Sequence, residues 1–214
     1  MLDDPKFSFS SGGGFFRRST DRQQDVDEAD VPAKDETGTD DFEAWAGGEQ
    51  VTLAIAITDV VGSTAMGQKI RDEAMNEVRR AHFAQSRRFI ARFEGREIKT
   101  IGDSFMVAFK CVDAALDYAM ALQTNPGHPR LQIRAGIHIG LVHVEAGDVF
   151  GSTVDFAARV VGAIRDAEIW LSGRAKEDVE NVGATKHEHL LWAKHDDVAM
   201  KGFPGKFTLW AVNS

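Results

Sequence analysis

Val51, Leu53, Ile55 and Ile57 alternate with small or polar residues and stop at Thr58-Asp59, the period of a strand with one buried face. Gly62-Ser63-Thr64 then supplies a turn and an N-cap. Met66, Ile70, Ala74, Val78 and Ala81 recur at helical spacing and predict a long helix to about Phe93. Two short strands follow at 97–101 and 105–109, joined across Gly102-Asp103 as a tight hairpin. Residues 113–123 read as a second helix, Pro126-Gly127 ends it, and 131–138 is the next strand. This order, βαββαβ, points to an α+β fold: a ferredoxin-like split βαβ sheet with helices on one face. Further on, the pattern predicts a strand at 142–144, a helix over 152–164, a short strand at 169–171 and a C-terminal strand pair ending at 208–212.

Charge divides the chain. The first 50 residues hold 13 of the 33 acidic and 5 of the 25 basic residues, so the whole net charge of -8 lies there and the remainder is balanced. Residues 1–48 are therefore expected to be an acidic, mostly disordered tail, because they cannot bury enough apolar surface to offset chain entropy. Phe7, Phe9, Phe15, Phe16, Phe42 and Trp45 are the tail residues able to dock on the domain or a partner. Residues 49–214 form the expected domain. A balanced domain lacks the cationic excess that phosphate backbones require, which argues against nucleic acid. Cys111 is the single cysteine, so an internal disulfide and a thiolate cluster are excluded. No apolar run approaches the roughly 18 residues of a spanning helix, and Met1-Leu2-Asp3-Asp4 does not resemble a secretory signal. The expectation is a cytoplasmic protein without membrane insertion.

Two carboxylates carry the candidate chemistry. Asp59 ends the first strand just before a helix, and Asp103 sits at the hairpin tip. In a ferredoxin-like sheet the first strand lies beside that hairpin, so the two can meet at one edge. Like charges that close repel unless a cation lies between them. Mg²⁺ suits the place, since it takes carboxylate and phosphate oxygens without a full protein cage. The backbone of Val61-Gly62-Ser63-Thr64 offers N–H groups at a helix start, which suits a polyphosphate. Taken singly, each aspartate is as readily a helix cap or a turn residue.

These residues resemble the class III nucleotide cyclases, the adenylate/guanylate cyclase catalytic domain, from about Val51 to Val212. Ile57-Thr58-Asp59-Val60-Val61-Gly62-Ser63-Thr64 is similar to the first metal motif, and Lys99-Thr100-Ile101-Gly102-Asp103-Ser104-Phe105-Met106 to the second. Arg134-Ala135-Gly136-Ile137-His138-Ile139-Gly140 resembles the strand signature that follows. Gly147-Asp148-Val149-Phe150-Gly151 and Thr153-Val154-Asp155-Phe156-Ala157-Ala158-Arg159 resemble the helix that completes the site, and Met200-Lys201-Gly202 the phosphate-binding element. The resemblance implies that Asp59 and Asp103, with the Val60 carbonyl, bind two divalent metal ions, Mg²⁺ or Mn²⁺. It implies that Lys99 and Asp148 read the base and that Arg159 stabilises charge on the phosphate. Lys201 and the turn Gly62, Ser63, Thr64 would hold the terminal phosphates. The implied assembly is a homodimer whose active sites are shared between subunits, acting on a nucleoside triphosphate.

Asp155 departs from the family, which usually has an Asn near the ribose; an ionised Asp accepts hydrogen bonds and cannot donate them. Leu141 likewise replaces an Arg of some animal members. A Lys–Asp pair donates to a ring nitrogen and accepts from an exocyclic amine, which adenine and cytosine both satisfy. The expected organisation, a catalytic domain with a short tail and no sensor or membrane domain, resembles stand-alone bacterial pyrimidine cyclases that signal phage infection to a separately encoded effector. With Asp155 this narrowly favours CTP or UTP as substrate, and adenylate cyclase activity on ATP is the alternative. Two rivals are a catalytically silent nucleotide-binding dimer and a cyclic-dinucleotide synthase, whose Gly-Gly-Asp/Glu-Glu-Phe hairpin is replaced here by Gly102-Asp103-Ser104-Phe105.

Overall fold

The computed structural model describes residues 38–67, 72–182 and 186–213. Strand β1 (Gln50–Val60) lies inside the sheet. It pairs antiparallel with β3 (Ser104–Phe109) on one side and with β4 (Ile133–Glu145) along its whole length on the other. With β2 (Arg96–Ile101), β6 (Ile169–Ser172), β7 (Leu191–Ala199) and β8 (Lys206–Asn213), the order is β2-β3-β1-β4-β6-β8-β7. The first four strands are those of the split βαβ unit. A three-residue strand, β5 (Asp148–Phe150), lies off this path and pairs with β4.

The alternation of β1 sends its residues to two different cores. Ala54 and Ala56 face α3 (Asp72–Arg92), α4 (Val112–Thr124) and α6 (Gly173–Val182), in a cluster with Val78, Phe89, Leu116, Leu122 and Val179. Leu53, Ile55 and Ile57 face the other way, with Met106, with Ala157 and Val161 of α5 (Ser152–Ala163), and with Phe42 of α1 (Gly38–Ala46). Helices therefore cover both faces, where one was expected. The reason is the parallel pairing of β4 with β6, which needs a crossover, and α5 supplies it on the open face.

Two further expectations, on the strands after α4 and on the tail, are corrected, and the long helix is described in part. The separate strands at 131–138 and 142–144 are one strand, β4. Its Gly136 and Gly140 are sites of close approach: a Cβ at Gly136 would lie 2.4 Å from the Val161 nitrogen, and one at Gly140 2.5 Å from Thr153 Oγ1. Within the helix predicted over 66–93, α2 (Ser63–Gly67) and α3 are helical, and residues 68–71 lie outside those described. The tail predicted to residue 48 ends in ordered α1. Phe42 is 5% exposed there, a burial worth about 1.5–3 kcal/mol, and the tail residues 1–37 lie outside the described residues. No helix among the described residues is long and apolar enough to cross a membrane.

Candidate active site

Asp59 is the penultimate residue of β1, directly across from Arg134 of β4. Both of its carboxylate oxygens are engaged. Ser104 Oγ donates to Oδ1 at 2.6 Å. Arg134 donates to Oδ2 through Nε at 2.8 Å and again through Nη2, while its Nη1 donates to the Ile164 carbonyl at 2.7 Å. The hairpin from β2 to β3 turns at Gly102, whose φ of 66° suits glycine. Asp103 follows it, next in sequence to the serine bonded to Asp59.

Asp103 Oδ2 is buried and has no hydrogen-bond partner. The imidazole of His82 lies near it, buried, with Nδ1 paired to the Pro126 carbonyl at 2.9 Å. Burial holds His82 below its ordinary value, against the pull of the Pro126 carbonyl and the Asp103 charge. A neutral imidazole leaves the Asp103 carboxylate uncompensated, an arrangement that a bound cation would satisfy. Among the described residues no group of three or more His, Cys, Asp or Glu could hold a metal. A carboxylate pair suits ions that keep water and substrate oxygens as their other ligands.

Lys99 and Asp148 form a second cluster. Lys99 Nζ donates to Asp148 Oδ1 at 2.9 Å and Oδ2 at 2.7 Å, and the Val149 N–H donates to Oδ1 at 2.8 Å. A register irregularity between Glu97 and Lys99 leaves Lys99 opposite Met106. Asp148 is delivered by a two-residue turn, Ala146-Gly147, with φ of 51° and 74°, the signature of a type I′ hairpin. Glu43 Oε1 of α1 accepts from the Ala146 N–H at 3.3 Å.

Asp155 and Arg159 lie one turn apart on α5, both exposed, with no ion pair between them among the described residues. Lys201 is exposed, immediately after Met200, which is buried with Val160 and Ile164. Gly62, at φ 69°, precedes the short helix α2 that Ser63 begins; the Thr64 side chain is outside the described set. The Val61 N–H donates to the Gln132 carbonyl at 2.9 Å, so it is not available to a phosphate as expected. The structure thus joins Asp59 with Ser104 beside Asp103, and Lys99 with Asp148. Among the described residues no contact connects either aspartate of the first set to Asp155, Arg159 or Lys201.

Sequence reasoning missed Arg134 as a site residue, treating it as part of a strand signature. The available signal was a guanidinium between Ile133 and Ala135, both buried. Such a charge needs a partner on a neighbouring strand.

Residues 48–214 match the adenylate and guanylate cyclase catalytic domain, and the chain belongs to that family, the class III nucleotide cyclases, which are lyases. An adenylate cyclase of Streptomyces coelicolor is 31% identical over 64% of this chain and 36% of its own length. A pH-sensitive adenylate cyclase of Mycobacterium tuberculosis is 29% identical over 78% of this chain and 41% of its own. The chain thus spans about two fifths of the length of these curated relatives. The crystal structure of the adenylyl cyclase CyaB from P. aeruginosa has the same fold, with a TM-score of 0.69 at 20% identity over 77% of this chain and 95% of that one. Class III cyclases use divalent metal ions, and their catalytic domains typically dimerise and bind nucleoside triphosphates.

Proposed function

We propose that this domain cyclises a nucleoside 5′-triphosphate to the 3′,5′-cyclic nucleotide and pyrophosphate. The observation that carries this is the placement of Asp59 and Asp103 at adjoining ends of β1 and the β2–β3 hairpin, with a buried Asp103 oxygen left unpartnered. In this reading the two carboxylates, with the Val60 carbonyl, hold two divalent ions, Mg²⁺ or Mn²⁺. When bound, such ions lower the pKa of the ribose hydroxyl and neutralise the leaving pyrophosphate. The 3′-oxygen gives up its proton to solvent, attacks the α-phosphorus, and the bond to the β-phosphate oxygen breaks.

The chain's own residues supply recognition and charge. Arg159 donates to the oxygens on which negative charge grows, a contribution worth on the order of 10²–10³-fold in rate. Lys201, with the backbone at Gly62, Ser63 and Thr64, holds the terminal phosphates. Asp155 accepts a hydrogen bond from a ribose hydroxyl. A homodimer places Asp59 and Asp103 of one copy against Lys99, Asp148, Asp155, Arg159 and Lys201 of the second, consistent with the two separate sets of residues in one chain.

ATP is the substrate this reading favours. The Lys99 ammonium donates to adenine N1, and the Asp148 carboxylate accepts from the N6 amine. The relatives named adenylate cyclases add weight on the same side, against the narrow sequence preference for a pyrimidine. CTP is the second reading, because cytosine N3 and N4 offer the same pattern to the same pair. The antiphage role and a separately encoded effector attach to that second reading. Purified protein incubated with Mn²⁺ and each of the four triphosphates, with products identified by mass, tests all of this. Cyclic AMP is expected; cyclic CMP or UMP alone would select the pyrimidine reading. No cyclic product from any triphosphate would leave a silent nucleotide-binding dimer.

A further inference from the structure

We propose that Arg134 is the resident counter-ion of Asp59, a guanidinium that competes with an incoming divalent ion for Oδ2, so that Arg134 tunes the affinity of the site for metal. This rests on the reading of Asp59 as a metal ligand. Each carboxylate oxygen has room for about two donors in its plane. Asp59 Oδ2 takes two from Arg134, and Oδ1 takes Ser104 Oγ. A metal ion can bond to Oδ2 only by removing at least one guanidinium N–H.

The guanidinium is also well placed to resist removal. Its third donor is fixed at 2.7 Å to the carbonyl of Ile164, the C-cap residue of α5. The Arg134 and Asp59 side chains are 28% and 20% exposed, so water screens the pair less than a surface bridge. Asp103 stands outside this arrangement, with Oδ2 buried and unbonded. The metal-free site therefore holds one compensated carboxylate and one uncompensated one. The first ion gains a free ligand at Asp103; at Asp59 it either competes with Arg134 for Oδ2 or shares Oδ1 with Ser104 Oγ, with the guanidinium charge repelling it from close by.

The test reads metal binding in the absence of nucleotide, by the loss of the free Mn²⁺ signal in electron paramagnetic resonance. Arg134→Gln is expected to bind Mn²⁺ about five- to tenfold more tightly than wild type, the scale of one partly screened ion pair. Arg134→Lys keeps the charge and is expected to stay near wild type. Affinity unchanged or weaker in Arg134→Gln, or equal gains in both variants, would overturn the proposal. Asp59→Asn separates this from the underlying reading: wild-type Mn²⁺ affinity in that variant removes Asp59 from the metal site altogether. If Arg134→Gln does not fold, the native chain still answers. In ¹⁵N-arginine-labelled protein the Arg134 Nε–H resonance is expected to move as Mg²⁺ saturates the site, and a resonance unmoved at saturation would reject displacement.

Discussion

Lys99 and Asp148, 49 residues apart in sequence, meet through two hydrogen bonds of 2.9 and 2.7 Å. On the proposed reading, a base entering between them would exchange this mutual bond for one bond to each residue. Lys99→Ala is expected to lower kcat/KM for the preferred triphosphate about 10–100-fold, the value of one or two charged hydrogen bonds. Thermal stability should change little, because the pair is about one third exposed and such bridges contribute roughly 0–1 kcal/mol. Competition among the four triphosphates should show the preference flattened.

Asp103→Asn should abolish cyclisation, by at least about 10²-fold, and raise the melting temperature of the metal-free protein. The buried oxygen without a partner is a liability until a cation arrives. Adding Mg²⁺ should stabilise wild type and leave Asp103→Asn nearly unmoved, a difference calorimetry reads directly. Full activity in this variant would sink the carboxylate-pair reading.

Gly136→Ala tests how α5 is seated. The added Cβ would lie 2.4 Å from the Val161 nitrogen and 2.8 Å from its Cα, so backbone must move. Overpacking of this kind destabilises by about 1–3 kcal/mol, visible as a lower denaturation midpoint. Activity should fall further than stability accounts for, since a shift of about 1 Å in the helix bearing Arg159 is worth roughly 10²-fold.

His138 gives the domain an acid limit. Burial and the Arg174 charge lower its pKa from 6.5 to about 4. Ser172 Oγ accepts from the Ala175 N–H at 3.1 Å and lies within hydrogen-bond distance, 2.7 Å, of His138 Nδ1. The unfolded chain binds this proton first, so the contribution is fully present above pH 6.5 and is lost as pH falls towards 4. Melting temperatures measured from pH 8 to pH 4 should decline across that window. Replacing His138 with Phe, which can keep the contact with Phe156 now at 4.4 Å, should flatten the decline.

Strands and helices with a single dominant period were legible in the sequence: β1, the β2–β3 hairpin, α4 and α5 stand where alternation and helical spacing put them. Positions decided by a distant partner were not. Gly140 falls between the two strands read at 131–138 and 142–144 and is instead the place where Thr153 packs against β4. Helix α6 was missed because its sequence is mostly polar; Ala175 and Val179 face the core, and Lys176 is buried over the rings of Trp192 and Trp210. The aspartates could be found from their turns, and their family likeness supplied Lys99 and Asp148. Arg134 could not be placed beside Asp59 without the register of β1 against β4, which composition and spacing do not encode.

The short strand β5 has a practical meaning for anyone wishing to redirect this domain. It is three residues long, takes its strand pairing from β4 alone, and sends Val149 into the interior while Asp148 is half-buried against Lys99 and Phe150 is exposed. On the proposed reading such a segment is a cassette: Asp148, the residue proposed to face the base, can be rewritten while Val149 keeps its place in the hydrophobic layer. Asp59 has less latitude, since its backbone pairs with Arg134 of β4 and its carboxylate is held by Arg134 and Ser104. The proposed function thus puts selectivity at a replaceable margin and the chemistry at a carboxylate tied to two neighbouring strands.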